Sequence, residues 1–326
     1  MSSRLLFGLL LTTACSACLN KGTSPQSTDT HDSASPDTDA QPDDSGTDSG
    51  KDTSENTEPM PDLSTTGPYQ VKSSTDRFEA NQNCSTFSTT YLPVDAPEAP
   101  PVVLVHGFSR YESVHAELAA HWASWGLPVS TMTLCHSYVL DNDPEQDAAD
   151  MTALSNQLGG GPVIYAGHSA GGMRSVLAAA NDPKSIAVLG LDLVDYAPDG
   201  SSGAYLGQQK AAKLKVPLYG VHGESTDCND SDIGLQVYAA APDSSVLRVT
   251  EADHCDFESP TDWLCTLLCQ AENASFSDEE ISTTVRDLTT AFLLWQSGLE
   301  PRGEAWWKAG EEPYEALKSS GAIRVP

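Results

Sequence analysis

Six short apolar runs rich in β-branched residues punctuate the chain after residue 100: PVVLVHG (101–107), LPVSTMTL (127–134), GPVIYAGHS (161–169), IAVLGLDLVD (186–195), VPLYGVHGE (216–224) and SSVLRVT (244–250). Continuous apolar runs of this length predict strands buried on both faces. The segments between them have helical period. Val114, Leu118, Trp122 and Trp125 share one helical face, as do Met173, Val176, Leu177 and Ala180, and later Ile281, Val285, Leu288, Phe292 and Trp295. Alternation of this kind predicts the α/β class, with a mostly parallel, doubly wound sheet flanked by helices on both faces. TFSTTYLPV (86–94) is expected to add an antiparallel strand at the start. There is no internal repeat, and residues 67–326 read as one domain of about 260 residues.

Residues 19–66 are Ser, Thr, Asp, Pro and Gly with almost no bulky apolar side chain. Such a composition buries too little surface to offset chain entropy, so a disordered acidic tether is expected. It holds 11 acidic residues against Lys21 and Lys51, a net of −9, while residues 67–326 hold 35 acidic and 14 basic residues, a net of −21. The whole chain carries −29. That charge repels phosphate backbones and anionic lipid headgroups, because both are held by clustered Lys and Arg, and it excludes nucleic acid as a partner.

Residues 1–18, MSSRLLFGLLLTTACSAC, have one basic residue, a short apolar run and small residues leading into cysteine. This is an export signal, too short for a transmembrane helix of about 20 residues. It resembles a bacterial lipoprotein signal, in which a cysteine after small residues is acylated and becomes the new N-terminus. Cleavage before Cys18 leaves an even six cysteines (84, 135, 228, 255, 265 and 269), whereas cleavage before Cys15 leaves an odd thiol, so Cys18 is the expected lipid anchor and Cys15 its alternative. Plain secretion is the other outcome. Export implies an oxidising compartment in which the six cysteines pair, with 15 connectivities open. Cys265 and Cys269 sit four apart on a predicted helix, but no further Cys or His lies at finger-like spacing, so disulfides are expected and a metal is not.

Gly167-His168-Ser169-Ala170-Gly171 is a G-x-S-x-G pattern between an apolar strand and a helical run, with another glycine at 172. A serine there sits on a sharp strand-to-helix turn where only small neighbours avoid collision, which makes Ser169 a candidate nucleophile. The plainer reading is a serine that caps the next helix. An attacking serine creates an oxyanion that needs two preorganised donors. The Ala170 amide supplies one, and the Phe108 amide, in the His106-Gly107-Phe108 loop after the first long strand, the other. His106 either shapes that loop or uses its ring in catalysis; its place beside a glycine and before the nucleophile suits loop shaping.

With these motifs together, residues 86–297 resemble the α/β-hydrolase fold. HGF (106–108), GHSAGG (167–172) and DHCDFESP (253–260) resemble the branch that contains chlorophyllases, cutinase-like polyester hydrolases and platelet-activating-factor acetylhydrolases. The resemblance implies the chain order serine, acid, histidine. Of eight histidines, His31 lies in the tether, His106 and His168 in the two motifs, and His115 and His121 on an early helix. His136 and His222 fall on or near strands, where a packed neutral imidazole is ordinary. His254 alone follows the last strand on a loop and is the expected general base. The acid stays open among Asp192, Asp195, Glu224 and Asp227. Many α/β-hydrolases carry it after the later strand, which points to Asp227. Members of the resembled branch carry it earlier, in a context like Leu191-Asp192-Leu193-Val194-Asp195, which favours Asp192. An aspartate in so apolar a run also needs a partner, and a histidine N–H would satisfy it.

The chemistry expected is hydrolysis of carboxylic esters through an acyl-enzyme, with no metal or organic cofactor. Only about 20 residues separate Asp195 from the next strand, which leaves no room for a large cap domain and implies an open site suited to a bulky or polymeric ester or a surface-borne lipid. A serine peptidase of the same fold and a non-catalytic surface-binding lipoprotein are the alternatives. Trp306, Trp307 and Tyr314 near the C-terminus are expected either to pack on the domain or to form an aromatic patch that contacts substrate.

Overall fold

The computed structural model describes residues 60–81, 83–196, 205–269 and 274–326 of the 326-residue chain. The signal, Cys15, Cys18 and most of the expected tether lie outside them. In chain order the elements are β1 (Val71–Asn81), β2 (Cys84–Pro93), β3 (Val102–Val105), α1 (Ala116–Ser124), β4 (Val129–Met132), a small hairpin of β5 (Ser137–Tyr138) and β6 (Asp141–Asn142), α2 (Pro144–Gln157), β7 (Val163–His168), α3 (Ala170–Asn181) and β8 (Ser185–Leu191). They continue with α4 (Leu206–Ala211), β9 (Leu218–His222), α5 (Leu235–Ala240), β10 (Ser244–Val249), α6 (Trp263–Cys269), α7 (Asp278–Ser297), α8 (Glu312–Ser320) and β11 (Ile323–Arg324).

The described strands form a nine-stranded sheet in the order β1-β2-β4-β3-β7-β8-β9-β10-β11. Its six central strands run parallel, and β1, β2 and β11 join antiparallel at the two edges. These six are the apolar runs read from the sequence, each trimmed by a few residues because its ends turn into loops. Alternation along each strand divides the core between two faces. Val102, Leu104, Ile164, Ala166 and Leu189 pack with Trp122 of α1 and Leu288 and Phe292 of α7. Val103, Val105, Tyr165 and Val188 pack with Met151 of α2 and Val176 and Leu177 of α3. Truncating one such side chain, for example Phe292→Ala, is worth about 3–5 kcal/mol of stability. β1 has no apolar run; its 11 residues are held by a ten-pair antiparallel ladder on β2.

One expectation changes. Residues 60–66, read as tether, belong to the folded unit, which begins at Met60. Leu63 is fully buried in the α1/α7 core, its carbonyl accepts from His121 Nε2 at 2.9 Å, and the Thr65 carbonyl accepts from Trp125 Nε1 at 3.0 Å. One leucine among polar neighbours is enough to dock the segment because a ready-made apolar groove receives it. The C-terminal aromatics take the first of their two expected outcomes and pack on the domain: Trp307 and Tyr314 are buried, and Trp307 Nε1 donates to the Leu288 carbonyl at 3.1 Å. The cysteines pair as Cys84–Cys135, Cys228–Cys269 and Cys255–Cys265, in keeping with an oxidising, exported setting. No described helix is long and apolar enough to cross a membrane.

Candidate active site

Parallel pairing aligns the C-terminal ends of the central strands. His168 pairs with Leu191, Leu191 with Val221, and His222 with Arg248. The residues just beyond these ends, Ser169, Asp192, Gly223 and the 250–254 loop, therefore converge at one edge of the sheet, where open α/β sheets bind ligands. Backbone strain concentrates at the same edge. Of eight described non-glycine residues with positive φ, all but Asp95 lie in loops that follow β3, β7, β8, β9 or β10. Each such residue costs on the order of 1–3 kcal/mol and persists only where its surroundings enforce it.

Ser169 has φ 55° and ψ −128° between β7 and α3. Its amide donates to the Leu191 carbonyl at 2.9 Å, and its carbonyl accepts from Gly172 and Val194 at 2.9 and 3.0 Å. Although it occupies the N-cap position of α3, its side chain makes no capping hydrogen bond, which argues against the plain capping role. The turn needs its glycines: a Cβ at Gly167 would run into the Gly171 carbonyl, and one at Gly171 into the His106 carbonyl. Gly107 packs directly on the serine, since a Cβ there would come within 3.3 Å of Ser169 Oγ.

His254 opens a 3₁₀ turn after β10 that is capped by Asp253, whose carboxylate accepts from the Cys255 amide at 2.7 Å. The His254 Nδ1–H donates to Asp192 Oδ2 at 2.6 Å. Of the four carboxylates that the sequence left open, Asp192 is the one joined to this ring. Asp195 instead accepts from the Gly207 and Gln208 amides and fixes the start of α4. Glu224 pairs with Arg324 and accepts from the Glu251 amide. Asp227 is exposed on the loop after β9.

Asp192 is fully buried with φ 41°. Its Oδ1 accepts from the Gly223 amide at 3.0 Å, Asn229 Nδ2 lies 3.3 Å away, and His222 Nδ1 lies 3.0 Å from the same oxygen. Burial pushes its pKa up, but the hydrogen bonds from His222 and His254 and their positive character outweigh burial and hold the carboxyl well below the usual range. The chain of contacts continues outward: His222 Nε2 meets Asp232 at 3.2 Å, and Asp232 accepts from Arg248 at 2.9 Å. His222 is thus packed, as expected of a strand histidine, but it is packed against the acid. Nothing in the sequence marks that contact except its place at the end of the strand beside Asp192.

The neighbouring imidazoles have other tasks. His106 Nδ1–H donates to the Gly107 carbonyl at 2.7 Å and its Nε2 accepts from the Leu134 amide at 2.9 Å, so the ring braces the loop with both nitrogens engaged. Burial drives its pKa down to about 3. His168 is also held neutral by burial, donates from Nε2 to the His254 carbonyl at 3.0 Å and lies with its ring centroid 4.5 Å from that of His254. Burial likewise lowers His115 to about 3. Arg110 and Glu258, which the sequence reading missed, form a buried bidentate ion pair that ties the loop after β3 to the turn after His254. Arg110 also donates to Asp262 at 3.0 Å.

These loops enclose a cleft of about 340 Å³ lined by Gly107, Phe108, Ser169, His254, Leu264 and Leu268 among others. Among the described residues no hydrogen-bond acceptor faces the Phe108 amide, whereas the next two amides are bound, Ser109 to the Ser137 carbonyl at 2.7 Å and Arg110 to the Gly107 carbonyl at 3.3 Å. Ala170 opens α3, where helix amides have no internal acceptor. The Sγ atoms of Cys255, Cys265 and Cys269 cluster on one wall, but each is in a disulfide and so is no thiolate ligand. The edge thus collects a strained serine, an imidazole bound to a buried carboxylate, and two amides beside an apolar cleft. No family model and no curated protein matches the chain, so what this constellation does is read from its own geometry.

Proposed function

We propose that the chain is a serine hydrolase of the α/β-hydrolase type that cleaves carboxylic esters through Ser169, His254 and Asp192. The observation that carries the reading is the 2.6 Å bond from His254 Nδ1–H to a fully buried Asp192, in the cleft that also holds Ser169 on its strained turn. Because Nδ1 is committed as a donor, Nε2 is the ring's basic nitrogen. It takes the Ser169 proton as Oγ attacks the ester carbonyl, and Asp192, ionised throughout, stabilises the imidazolium that forms. The Phe108 and Ala170 amides receive the oxyanion. Collapse expels the alcohol, which takes its proton from His254 Nε2 and leaves an acyl-serine. Water, deprotonated by the same nitrogen, then releases the acid and restores Ser169.

The cleft's apolar lining suits the hydrocarbon of an ester substrate. A mere binding module would have no use for strain at Ser169 and Asp192. The test is labelling with a fluorophosphonate together with turnover of p-nitrophenyl butyrate. Wild type is expected to show both and Ser169→Ala neither; an unlabelled wild type, or peptide cleavage without ester cleavage, overturns the reading.

The chain is further proposed to be exported and held at the cell envelope through an acylated Cys18, a setting that the three disulfides support. Labelled palmitate should enter the wild-type chain and not Cys18→Ser. Incorporation that survives in Cys18→Ser and is lost in Cys15→Ser would move the anchor to Cys15.

A further inference from the structure

We infer that the mouth of the Ser169 cleft is a docking surface for an uncharged or zwitterionic lipid aggregate, from which the ester is drawn; this deepens the hydrolase reading and rests on it. Twelve large hydrophobic residues are exposed among the described ones, and nine of them fall in three segments: 108–111 and 263–268, which line the cleft, and 138–140, which lies beside it with Tyr138 Oη donating to the Arg110 carbonyl at 3.5 Å. The tips are extreme: Leu140 is 99% exposed, Trp263 73%, and Val139 and Leu267 70% each. Scattered single exposures are ordinary on a protein surface, but concentration around one cleft marks an interaction site.

The segments are fastened where they stand. Residues 109 and 137 are joined by a 2.7 Å backbone hydrogen bond, and Tyr111 Oη donates to Asp262, just before α6, at 3.2 Å. Two disulfides, Cys228–Cys269 and Cys255–Cys265, pin α6 at its end and its middle. A seven-residue helix is too short to hold itself. The covalent ties thus hold the apolar side chains of α6 at the surface, as suits a face awaiting an apolar partner.

The side-chain chemistry selects the partner. Aliphatic tips at Val139, Leu140 and Leu267 stand among Tyr111 and Trp263, and rings with one polar end favour the boundary between hydrocarbon and headgroups. The one cation in the three segments, Arg110, is buried against Glu258 and unable to meet an anionic headgroup. Residues 67–326 carry −21, which repels an anionic surface. Apolar area without basic residues fits a lipid surface that bears no net charge.

The test is co-sedimentation with phosphatidylcholine vesicles of the full chain in a Cys15→Ser/Cys18→Ser background, so that no N-terminal acyl chain contributes, and with Ser169→Ala, so that binding is read without turnover. Leu140→Ser/Trp263→Ser/Leu267→Ser is expected to lower vesicle partition by at least about tenfold, given the apolar area removed, and Leu140→Asp, at a fully exposed position that folding does not use, to lower it as well. Phosphatidylglycerol in the vesicles should weaken binding at low salt. The same triple substitution on an active Ser169 should leave hydrolysis of dissolved p-nitrophenyl butyrate at the wild-type rate. Absent binding to phosphatidylcholine, equal binding by wild type and Leu140→Asp, tighter binding to anionic vesicles, or adsorption to a polyester film instead of lipid each overturns the inference. Vesicle binding without turnover of dissolved ester would sink the hydrolase reading and leave the docking surface standing.

Discussion

At Asp192 three demands meet in one side chain. It must be ionised in an apolar strand end, must hold the His254 ring, and must do so from a left-handed backbone at φ 41°. Its donors answer the first demand, and the 2.6 Å contact answers the second. Asp192→Asn keeps the shape but offers an amide to Nδ1, so the ring turns to the tautomer with Nε2 protonated and cannot accept from Ser169. Loss of turnover on the order of 10⁴-fold is expected. Asp227→Asn, on the exposed loop, should leave the rate unchanged. His222→Leu, which removes a contact to Oδ1 without touching the ring of His254, should fall between the two. Steady-state rates on a soluble ester decide it. A large loss in Asp227→Asn with little in Asp192→Asn would move the acid to the later strand.

Elements show why some of this was legible in sequence and some was not. A strand buried on both faces must be apolar throughout, so β3, β7, β8 and β9 announce themselves, and the glycines of the β7–α3 turn are forced by carbonyls that leave no room for a Cβ. Ser169 and His254 could be read because each sits where a strand ends and order along the chain is informative. β1 was invisible, since an edge strand with a long partner ladder needs no apolar run. The cysteine pairing was invisible too, because it depends on α6 lying over both the 228 loop and the His254 turn. The Arg110–Glu258 pair joins residues 148 apart and leaves no local signal at either end. Contacts made across the sheet edge, such as His222 on Asp192, are properties of the register between strands. They become readable only once parallel pairing sets Leu191 beside Val221.

Across the whole molecule, most of the −29 charge sits on a domain that also buries carboxyls, and the two facts meet where residues 60–66 dock on α7. Asp287 of α7 is buried and its Oδ1 lacks a hydrogen-bond partner. Burial, and then the negative charge of Asp62, push its pKa from 3.8 up to about 7. The folded state therefore keeps a proton that the unfolded chain has already released, and the domain loses stability as pH rises from about 3.8 to about 7, with no further loss from this group above. Asp256, raised to about 7 by burial and then by Asp253, acts in the same direction. Asp192, held low, acts in the opposite one, so a bare stability curve mixes the terms. Asp287→Asn isolates one of them. The substitution should raise the melting temperature at pH 8 by a few degrees and change it little near pH 4, where the native carboxyl is already neutral. Calorimetry of both proteins at the two pH values measures the difference. An equal shift at both would mean that the side chain's packing, not its charge, is what changed, and that Asp287 imposes no pH dependence on the fold.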